Sequence, residues 1–303
     1  MNCGIASLLL IPLIAVVATP QQADVTFSDH VNLVVLDVRV RDSRNGYVSG
    51  LDKKEFRVLE DGKARAISQF ASVDSPVTVG LVVDNSGSMR SKRSEVLQAG
   101  LAFARSCNRE DEFFVVNFNN SVVSGLPPEL PFTDNLNILQ RALYYGKPTG
   151  QTALYDALSF SLRHLETAHR EQRTLIVVSD GGDNVSKISV LDLIAEIELS
   201  RATIYTIGLV DPDNSDLNPG VLRRFAAISG GEYFQPRKLD EVLPIFEKIS
   251  KDIRNRYTIG FVPDEVNDHR EIRTVKVMAE HDGRKLTVRA RTTYRIPSFA
   301  GKV

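Results

Sequence analysis

A carboxylate and two hydroxyls stand close together in residues 84–88, whose sequence is Asp-Asn-Ser-Gly-Ser. Asp84, Ser86 and Ser88 alternate with other residues, so a tight loop would turn all three oxygens towards one point. Oxygen ligands at this density suit a hard divalent cation such as Mg2+. The stretch follows the apolar run 79–83, as a buried parallel strand does when it delivers polar groups to the edge of a sheet. The stretch therefore predicts part of a metal site.

Two further oxygen donors are expected to meet this loop. Asp180 comes after the apolar run 174–178, and Thr152 opens the helical pattern that precedes this run. Ligands of open parallel sheets bind beyond the carboxyl ends of the strands, where the strand order reverses. A hydroxyl at a helix N-terminus would lie close to Asp180 there. We therefore predict one metal site formed by Asp84, Ser86, Ser88, Thr152 and Asp180.

These residues resemble the metal-ion-dependent adhesion site of the von Willebrand factor A domain. The family's motif matches Asp84-x-Ser86-x-Ser88, then Thr152 within residues 149–152, and Asp180 within the sequence Ser-Asp-Gly. All five positions match in order and with the usual spacing, and the resemblance covers about residues 75–250. The flanks are similar, more loosely, to bacterial secreted proteins that carry a related A-type domain between β-rich segments.

The resemblance implies a non-catalytic, metal-dependent module for protein binding. Ser86, Ser88 and Thr152 would ligate Mg2+ or Mn2+ through their hydroxyls, and Asp84 and Asp180 would act partly through water molecules. Because few carboxylates would touch the cation directly, it would stay under-neutralised with one coordination position free. A protein partner would supply a Glu or Asp carboxylate to that position.

Other interpretations of the same residues remain open. Taken singly, each is also a common helix-capping or turn-forming residue. A Mg2+-dependent phosphohydrolase resembling the haloacid dehalogenase type would use Asp84 as nucleophile and hold its metal with Asp180 and Asp183. Ser86 argues against this, because that family usually has an acidic residue there. A structural assembly module without a functional metal is the third alternative. In a metal site, Asn85 and Asp183 would support the ligands, although Asp183 could equally cap a helix.

The middle of the chain alternates strand-like and helical patterns. Nearly continuous apolar runs are typical of parallel strands that are buried on both faces. These runs are residues 79–83, 113–118, 174–178 and 203–209. Apolar residues at helical spacing lie between them, as at 153–164. We therefore predict an α/β domain over residues 75–250, with a doubly wound and mainly parallel sheet.

Both flanks instead show the alternating pattern of strands with one buried face. The pairs Asn45-Gly46, Asp61-Gly62 and Asp282-Gly283 signal tight turns between such strands. Neither flank alone offers enough strands to bury a core, whereas together they offer about seven, as in an immunoglobulin-like sandwich. We predict one antiparallel β-sandwich from residues 25–74 and 256–296, with the α/β domain inserted between them. Two separate β appendages are the alternative.

The N-terminus predicts export from the cytoplasm. Residues 1–23 carry no charged side chain, and residues 5–18 form an apolar run of the length found in secretory signals. We predict residues 1–20 to be a signal peptide and the mature protein to be secreted or periplasmic, without membrane insertion. A retained anchor or a buried helix is the alternative. After cleavage Cys107 would be the only thiol, which leaves no partner for a disulfide within the chain.

Composition argues against other kinds of site. The net charge of −1 comes from interspersed basic and acidic residues and gives no electrostatic case for nucleic-acid binding. The histidines form no metal-ligand pattern, and His164 and His169 are expected to be exposed near a helix end. The acidic run 211–216 lacks the glycine and the closing Glu of a calcium-binding loop, so a surface turn is predicted. The partner's identity and the oligomeric state do not follow from the sequence.

Overall fold

A computed structural model describes residues 33–72, 74–209, 218–263 and 271–295. The predicted signal peptide and the acidic run 211–216 lie outside these residues. No helix in the described ranges is long and apolar enough to cross a membrane.

The elements follow the chain in three blocks. The first block contains β1 (Val34–Arg41), β2 (Phe56–Glu60), β3 (Lys63–Arg65) and β4 (Ile67–Ala71). The second contains β5 (Val77–Asp84), α1 (Arg93–Ser106), β6 (Glu112–Phe118), β7 (Val122–Ser124), α2 (Leu136–Leu143), α3 (Leu154–Glu166), β8 (Gln172–Ser179), α4 (Val190–Leu199), β9 (Thr203–Gly208), α5 (Pro219–Ser229), β10 (Tyr233–Phe234) and α6 (Val242–Arg254). The third contains β11 (Tyr257–Phe261), β12 (Ile272–His281), β13 (Arg284–Lys285), β14 (Thr287–Arg289) and β15 (Thr293–Arg295).

The middle block builds one mainly parallel sheet with the strand order β10-β9-β8-β5-β6-β7. All neighbours are parallel except β7, which runs antiparallel to β6 at the edge. The chain adds β6 and β7 on one side of β5 and then returns to add β8, β9 and β10 on the other. Helix α1 contacts α2 and α6, whereas α4 contacts α3 and α5. Two helix groups are expected when right-handed crossovers cover both faces of a sheet. The predicted doubly wound α/β fold is confirmed.

The strands β5 and β8 lie side by side where the strand order reverses. All residues of β5 are buried, and so are the last six of β8. Branched apolar side chains such as Val82 and Ile176 suit strands that are covered on both faces. Val83 pairs with Val178, so the polar residues that follow them leave the sheet at the same edge.

The two flanks pair with each other in an antiparallel β structure, as the predicted fold class requires. Strand β1 pairs with β11 and β14, and β2 pairs with β12. The strands form two sheets, β14-β1-β11-β4 and β13-β12-β2-β3, with β15 attached to β12. Both sheets contribute to one apolar core that is separate from the core of the middle block. Its members include Leu36, Val38, Phe56, Val58, Tyr257, Ile259, Phe261, Val275, Val277 and Tyr294.

Two details differ from the prediction. The described flanks contain nine strands rather than about seven, in part because residues 63–71 divide into β3 and β4, which join different sheets. The expected exposure of His164 is wrong, because its ring packs 4.6 Å from Phe114 and 4.8 Å from Phe132 between ring centroids. Its Nε2 also lies 2.9 Å from the Pro131 carbonyl oxygen. His169 is exposed as expected, but it lies beyond the end of α3.

Candidate metal centre

Strand β5 places Asp84 at the carboxyl edge of the sheet and buries it completely. The next residues turn back over this carboxylate, since the Ser86 amide donates to Asp84 Oδ1 at 2.8 Å. Residues 87–89 form a single 3-10 turn, which the buried side chain of Met89 anchors to the core. The loop after β5 is therefore held by the carboxylate that precedes it and by the core beneath it.

The hydroxyls of Ser86 and Ser88 meet at the top of this loop. Their oxygens are 3.0 Å apart, within hydrogen-bonding distance. Ser86 is buried and Ser88 is exposed. The pair therefore connects the buried Asp84 to the surface, so that an ion bound between these oxygens would lie at the rim of the protein.

The loop before α3 packs directly against the first loop through backbone hydrogen bonds. The Gly87 amide donates to the Gly150 carbonyl at 3.0 Å, and the Thr149 amide donates to the Asn85 carbonyl at 2.8 Å. Gly150 has φ of +80°, and a Cβ atom at this position would lie 1.8 Å from Asn120 Oδ1. Only glycine fits such a backbone without displacing its neighbour. This close approach positions the loop that carries Thr152.

Thr152 joins this second loop to the third, which follows β8. Its amide donates to Asn184 Oδ1 at 2.9 Å, and its carbonyl accepts from the Asn184 amide at 3.0 Å. Thr152 is buried and lies two residues before the start of α3. Its backbone groups are thus occupied by the third loop, and its described hydrogen bonds leave the hydroxyl available.

Asp180 begins the third loop, and Ser179 connects it to Asp84. Ser179 Oγ donates to Asp84 Oδ2 at 2.7 Å and accepts from the Gly181 amide at 3.1 Å. Asp180 is buried, and its Oδ1 accepts from the Gly182 amide at 3.2 Å. Hydrogen bonds therefore bring together the three loops that carry all five predicted residues.

The two carboxylates form a negatively charged and poorly neutralised pair. The pKa of Asp84 is raised to about 6, because burial and, to a smaller extent, the nearby charge of Asp180 outweigh the lowering by hydrogen bonds from Ser86 and Ser179. Within the described residues, neither carboxylate forms an ion pair with Lys or Arg. Buried carboxylates of this kind are stabilised by a cation. The residues present therefore fit a hard divalent ion with oxygen ligands.

The predicted donor set contains three hydroxyls and two carboxylates. Among the described residues there is no group of three or more His, Cys, Asp or Glu side chains arranged to hold a metal. The predicted set would not form such a group, because only Asp84 and Asp180 among its members are acidic. A site of this composition would neutralise a divalent cation incompletely.

The two predicted supporting residues have other partners. Asn85 Nδ2 donates to Asn117 Oδ1 at 3.0 Å, and Asn85 Oδ1 accepts from Arg93 at 2.8 Å. Asp183 Oδ1 accepts from the Tyr155 amide at 3.1 Å in the first turn of α3, and burial raises the pKa of Asp183. Asn85 therefore links neighbouring elements, and Asp183 caps a helix, which was the alternative expectation for it.

The sequence-based prediction did not identify Ser179, Asn184 or Asn120 as part of this centre. Ser179 could have been found, because a hydroxyl at the end of a strand beside Asp180 points towards the neighbouring strand end. The two asparagines accept from backbone amides about 30 residues away. No local pattern signals such contacts.

The geometry does not favour the phosphohydrolase alternative. A nucleophilic carboxylate needs one oxygen free to approach a phosphorus atom. Both oxygens of Asp84 accept hydrogen bonds, and the side chain has no exposed surface. Asp183 Oδ1 accepts from the Tyr155 amide in the first turn of α3 and from Ser186 Oγ.

Comparisons with known proteins agree with this architecture. Residues 79–182, which include all five predicted metal residues, match the family model of the von Willebrand factor type A domain. The solved von Willebrand factor type A protein from Catenulispora acidiphila aligns over 87% of this chain and 73% of its own, with 14% identity and a TM-score of 0.53. Proximal thread matrix protein 1 from the mussel byssus aligns over 64% of this chain and 50% of its own, with 16% identity and a TM-score of 0.50. A search of curated proteins found no match.

These similarities show the fold of the chain. Von Willebrand factor type A domains form a family of adhesion and protein-interaction modules, which are generally not enzymes.

Proposed function

We propose that this chain is a non-catalytic protein-binding module that captures a partner's carboxylate at a divalent cation. Ser86, Ser88 and Thr152 would hold the ion through their hydroxyls, and Asp84 and Asp180 would hold it partly through water molecules. Mg2+ or Mn2+ bound there would supply a Lewis-acidic coordination position for a Glu or Asp side chain.

The observation that carries this proposal is a pair of buried carboxylates without a basic partner among the described residues, close to the exposed hydroxyl of Ser88. Asp84 and Asp180 are buried close to each other, and no basic side chain of the described residues pairs with them. The hydroxyl oxygens of Ser86 and Ser88 lead from this charge to the surface. The buried carboxylates would attract a cation to the inner side of this site. The solvent-facing side of the cation would stay open to a ligand.

Binding rather than catalysis follows from the types of donor. Neutral hydroxyls leave most of the cation's charge available to a partner's carboxylate, which strengthens that contact. Ser179 donates a hydrogen bond to Asp84 at the strand ends, so neither side chain is free to act as a nucleophile. The fold family of adhesion modules supports the same role.

The proposed place of action is outside the cytoplasm, in the periplasm or the secreted fraction. This part of the proposal depends on the predicted signal peptide over residues 1–20. N-terminal sequencing of protein recovered from the periplasm or the medium tests it. We expect a mature chain that begins near residue 21, and an intact Met1 in a cytoplasmic fraction would contradict this.

A pull-down with the full chain tests the proposed binding. The immobilised protein is incubated in Mg2+ with secreted and surface proteins of the source organism and is then washed with EDTA. We expect a defined protein that wild type retains in Mg2+ and releases in EDTA, and that Asp84→Asn does not retain. The matched control is Asp282→Asn, because the Asp282 side chain is 86% exposed and far along the chain from the site. The proposal would be contradicted if wild type kept its bound protein in EDTA and Asp84→Asn retained the same protein as well as wild type does.

A further inference from the structure

Two adjacent tyrosines are exposed beside the candidate metal centre. Tyr144 is 46% exposed and Tyr145 is 57% exposed, directly after the end of α2. Single exposed apolar residues are common on protein surfaces, but these two are the only sequence neighbours among the exposed large hydrophobic residues of the described chain. An exposed aromatic pair is typical of a binding surface.

The backbone of this pair is bonded to the first metal-centre loop. Arg93 Nη2 donates to the Tyr145 carbonyl at 3.1 Å and to the Gly146 carbonyl at 3.2 Å. The same guanidinium donates through Nε to Asn85 Oδ1 at 2.8 Å, and Asn85 Nδ2 lies 3.4 Å from the Tyr145 carbonyl oxygen. Asn85 stands between Asp84 and Ser86. The tyrosines are therefore held next to the predicted metal ligands.

A second contact holds the pair from the buried side. Asn117, near the end of β6, accepts from Asn85 at 3.0 Å and donates to the Ala142 carbonyl of α2 at 2.9 Å. Asn85 and Asn117 are buried. The loop that presents Tyr144 and Tyr145 is thus ordered before any partner binds, so little further conformational entropy is lost on binding.

The charges around the pair favour an acidic partner. Lys147 lies two residues after Tyr145 and is exposed, and Arg90 is exposed at the end of the first metal-centre loop. Arg93 is partly exposed and forms no ion pair within the described residues. The carboxylates of the centre are buried, so the outer surface next to the tyrosines presents basic groups. Complementary charge of this kind orients a partner and speeds association.

We infer that Tyr144 and Tyr145 form a second contact for the partner, beside the metal. This inference rests on the proposed function. The partner is a protein segment in which an aromatic or aliphatic side chain lies within a few residues of the Glu or Asp that reaches the cation. The carboxylate fixes the segment at the metal, and the neighbouring apolar side chain packs on the tyrosine rings.

A peptide library tests the inference with the full chain. The probe is a phage-displayed library of random dodecapeptides with a fixed central Glu, bound in Mg2+ and eluted with EDTA. We expect wild type to enrich peptides with an aromatic or aliphatic residue within three positions of the Glu. Tyr144→Ser/Tyr145→Ser should lose this preference and bind the enriched peptides about tenfold more weakly.

Two control variants define what the tyrosines contribute. Tyr144→Phe/Tyr145→Phe keeps the rings and should bind like wild type. Leu191→Ser removes a 68% exposed apolar side chain on α4 and should also leave peptide binding unchanged. Thermal unfolding of every variant in EDTA checks that the fold is intact, and we expect midpoints close to wild type because the altered side chains are exposed.

The outcomes separate this inference from the proposed function. If wild type yields no peptides that EDTA elutes, both the proposed function and the inference are wrong. If EDTA-eluted peptides bind the Ser variant as tightly as wild type, the inference is wrong and the proposed function stands. Weakened binding by the Ser variant, with unchanged binding by the Phe variant, supports the inference.

Discussion

Asp84 is a buried carboxylate whose charge is costly when no cation is bound. Its pKa rises from 3.8 to about 6 in the folded protein, mainly because of burial. At about 1.4 kcal/mol per pH unit, this shift corresponds to about 3 kcal/mol. The folded pKa lies above the unfolded value, so protonation of Asp84 favours the folded state. This contribution to the free energy of unfolding is fully present below about pH 4 and is lost as the pH rises to about 6.

Asp84→Asn should therefore stabilise the metal-free protein. In EDTA at pH 7 we expect a higher melting temperature than wild type, and at pH 4 nearly the same temperature, because wild-type Asp84 is then protonated. Thermal unfolding at both pH values measures this. Addition of Mg2+ should raise the melting temperature of wild type alone. The exposed-site control Asp282→Asn should change neither temperature, and an Asp84→Asn protein that is less stable at pH 7 would contradict the expected cost of the charge.

The same carboxylate should make metal affinity dependent on pH. Protonated Asp84 cannot support a cation, so a proton competes with the metal below the pKa of about 6. We expect the affinity for Mn2+ at pH 5 to be about tenfold weaker than at pH 7. Calorimetric titration at a series of pH values measures it. An affinity that does not change between pH 5 and pH 7 would show that Asp84 takes no part in binding.

At the scale of elements, the close approach of two loops depends on Gly150. Gly150 and Gly62 share a φ of +80°, but a Cβ atom would meet Asn120 at Gly150 and nothing within 4 Å at Gly62. The positive φ alone costs an alanine about 1 kcal/mol. Alanine substitutions at both positions would share the cost of the positive φ. Any additional effect at Gly150 would therefore come from the close contact with Asn120.

Gly150→Ala should displace the loop that carries Thr152 and weaken Mn2+ binding at least tenfold. Gly62→Ala should lower the free energy of unfolding by about 1 kcal/mol and leave Mn2+ binding unchanged. Urea denaturation and calorimetric titration measure the two quantities. Equal effects of the two substitutions on Mn2+ binding would mean that this loop does not position the centre.

The ends of β5 and β8 could be predicted because short-range patterns determine them. An apolar run followed by Asp84 or Asp180 marks a buried strand that ends at the sheet's edge. The glycine-containing loop before α3 could be predicted in the same way, because it directly precedes a helical pattern. The hydrogen bond between Asn184 and Thr152 could not be predicted, because the two residues lie 32 positions apart in loops that no sequence pattern pairs. His164 shows the same limit, since its ring packs against phenylalanines from other elements.

At the scale of the whole molecule, a buried ionic cluster joins the middle block to the flanks. Asp252 of α6 is fully buried and forms ion pairs with Arg41 of β1 and Arg289 of β14. The Tyr47 hydroxyl donates to Asp252 Oδ1 at 2.5 Å. The predicted pairing of the flanks followed from their need to bury a core. The arginines of this interface were not predicted, because an isolated basic residue in a strand resembles a surface residue.

Asp252→Asn should destabilise the chain by about 3 kcal/mol, because the buried charges of Arg41 and Arg289 would then share one carboxylate, that of Glu232, instead of two. Lys54→Gln is the control, since the Lys54–Asp52 pair is exposed on both sides and should contribute less than about 1 kcal/mol. Urea denaturation compares the two. A loss for Asp252→Asn as small as that of the control would show that the cluster does not hold the flanks to α6.

The number of Mn2+ ions bound per chain tests the proposed metal centre most directly. Electron paramagnetic resonance of free Mn2+ gives this number for wild type and for Ser86→Ala/Thr152→Ala, which removes two hydroxyl ligands and leaves both buried carboxylates in place. We predict one Mn2+ per wild-type chain, displaced by Mg2+, and none bound by the variant at the same concentration. No binding by wild type, or equal binding by both proteins, would contradict the metal centre and the carboxylate capture that depends on it.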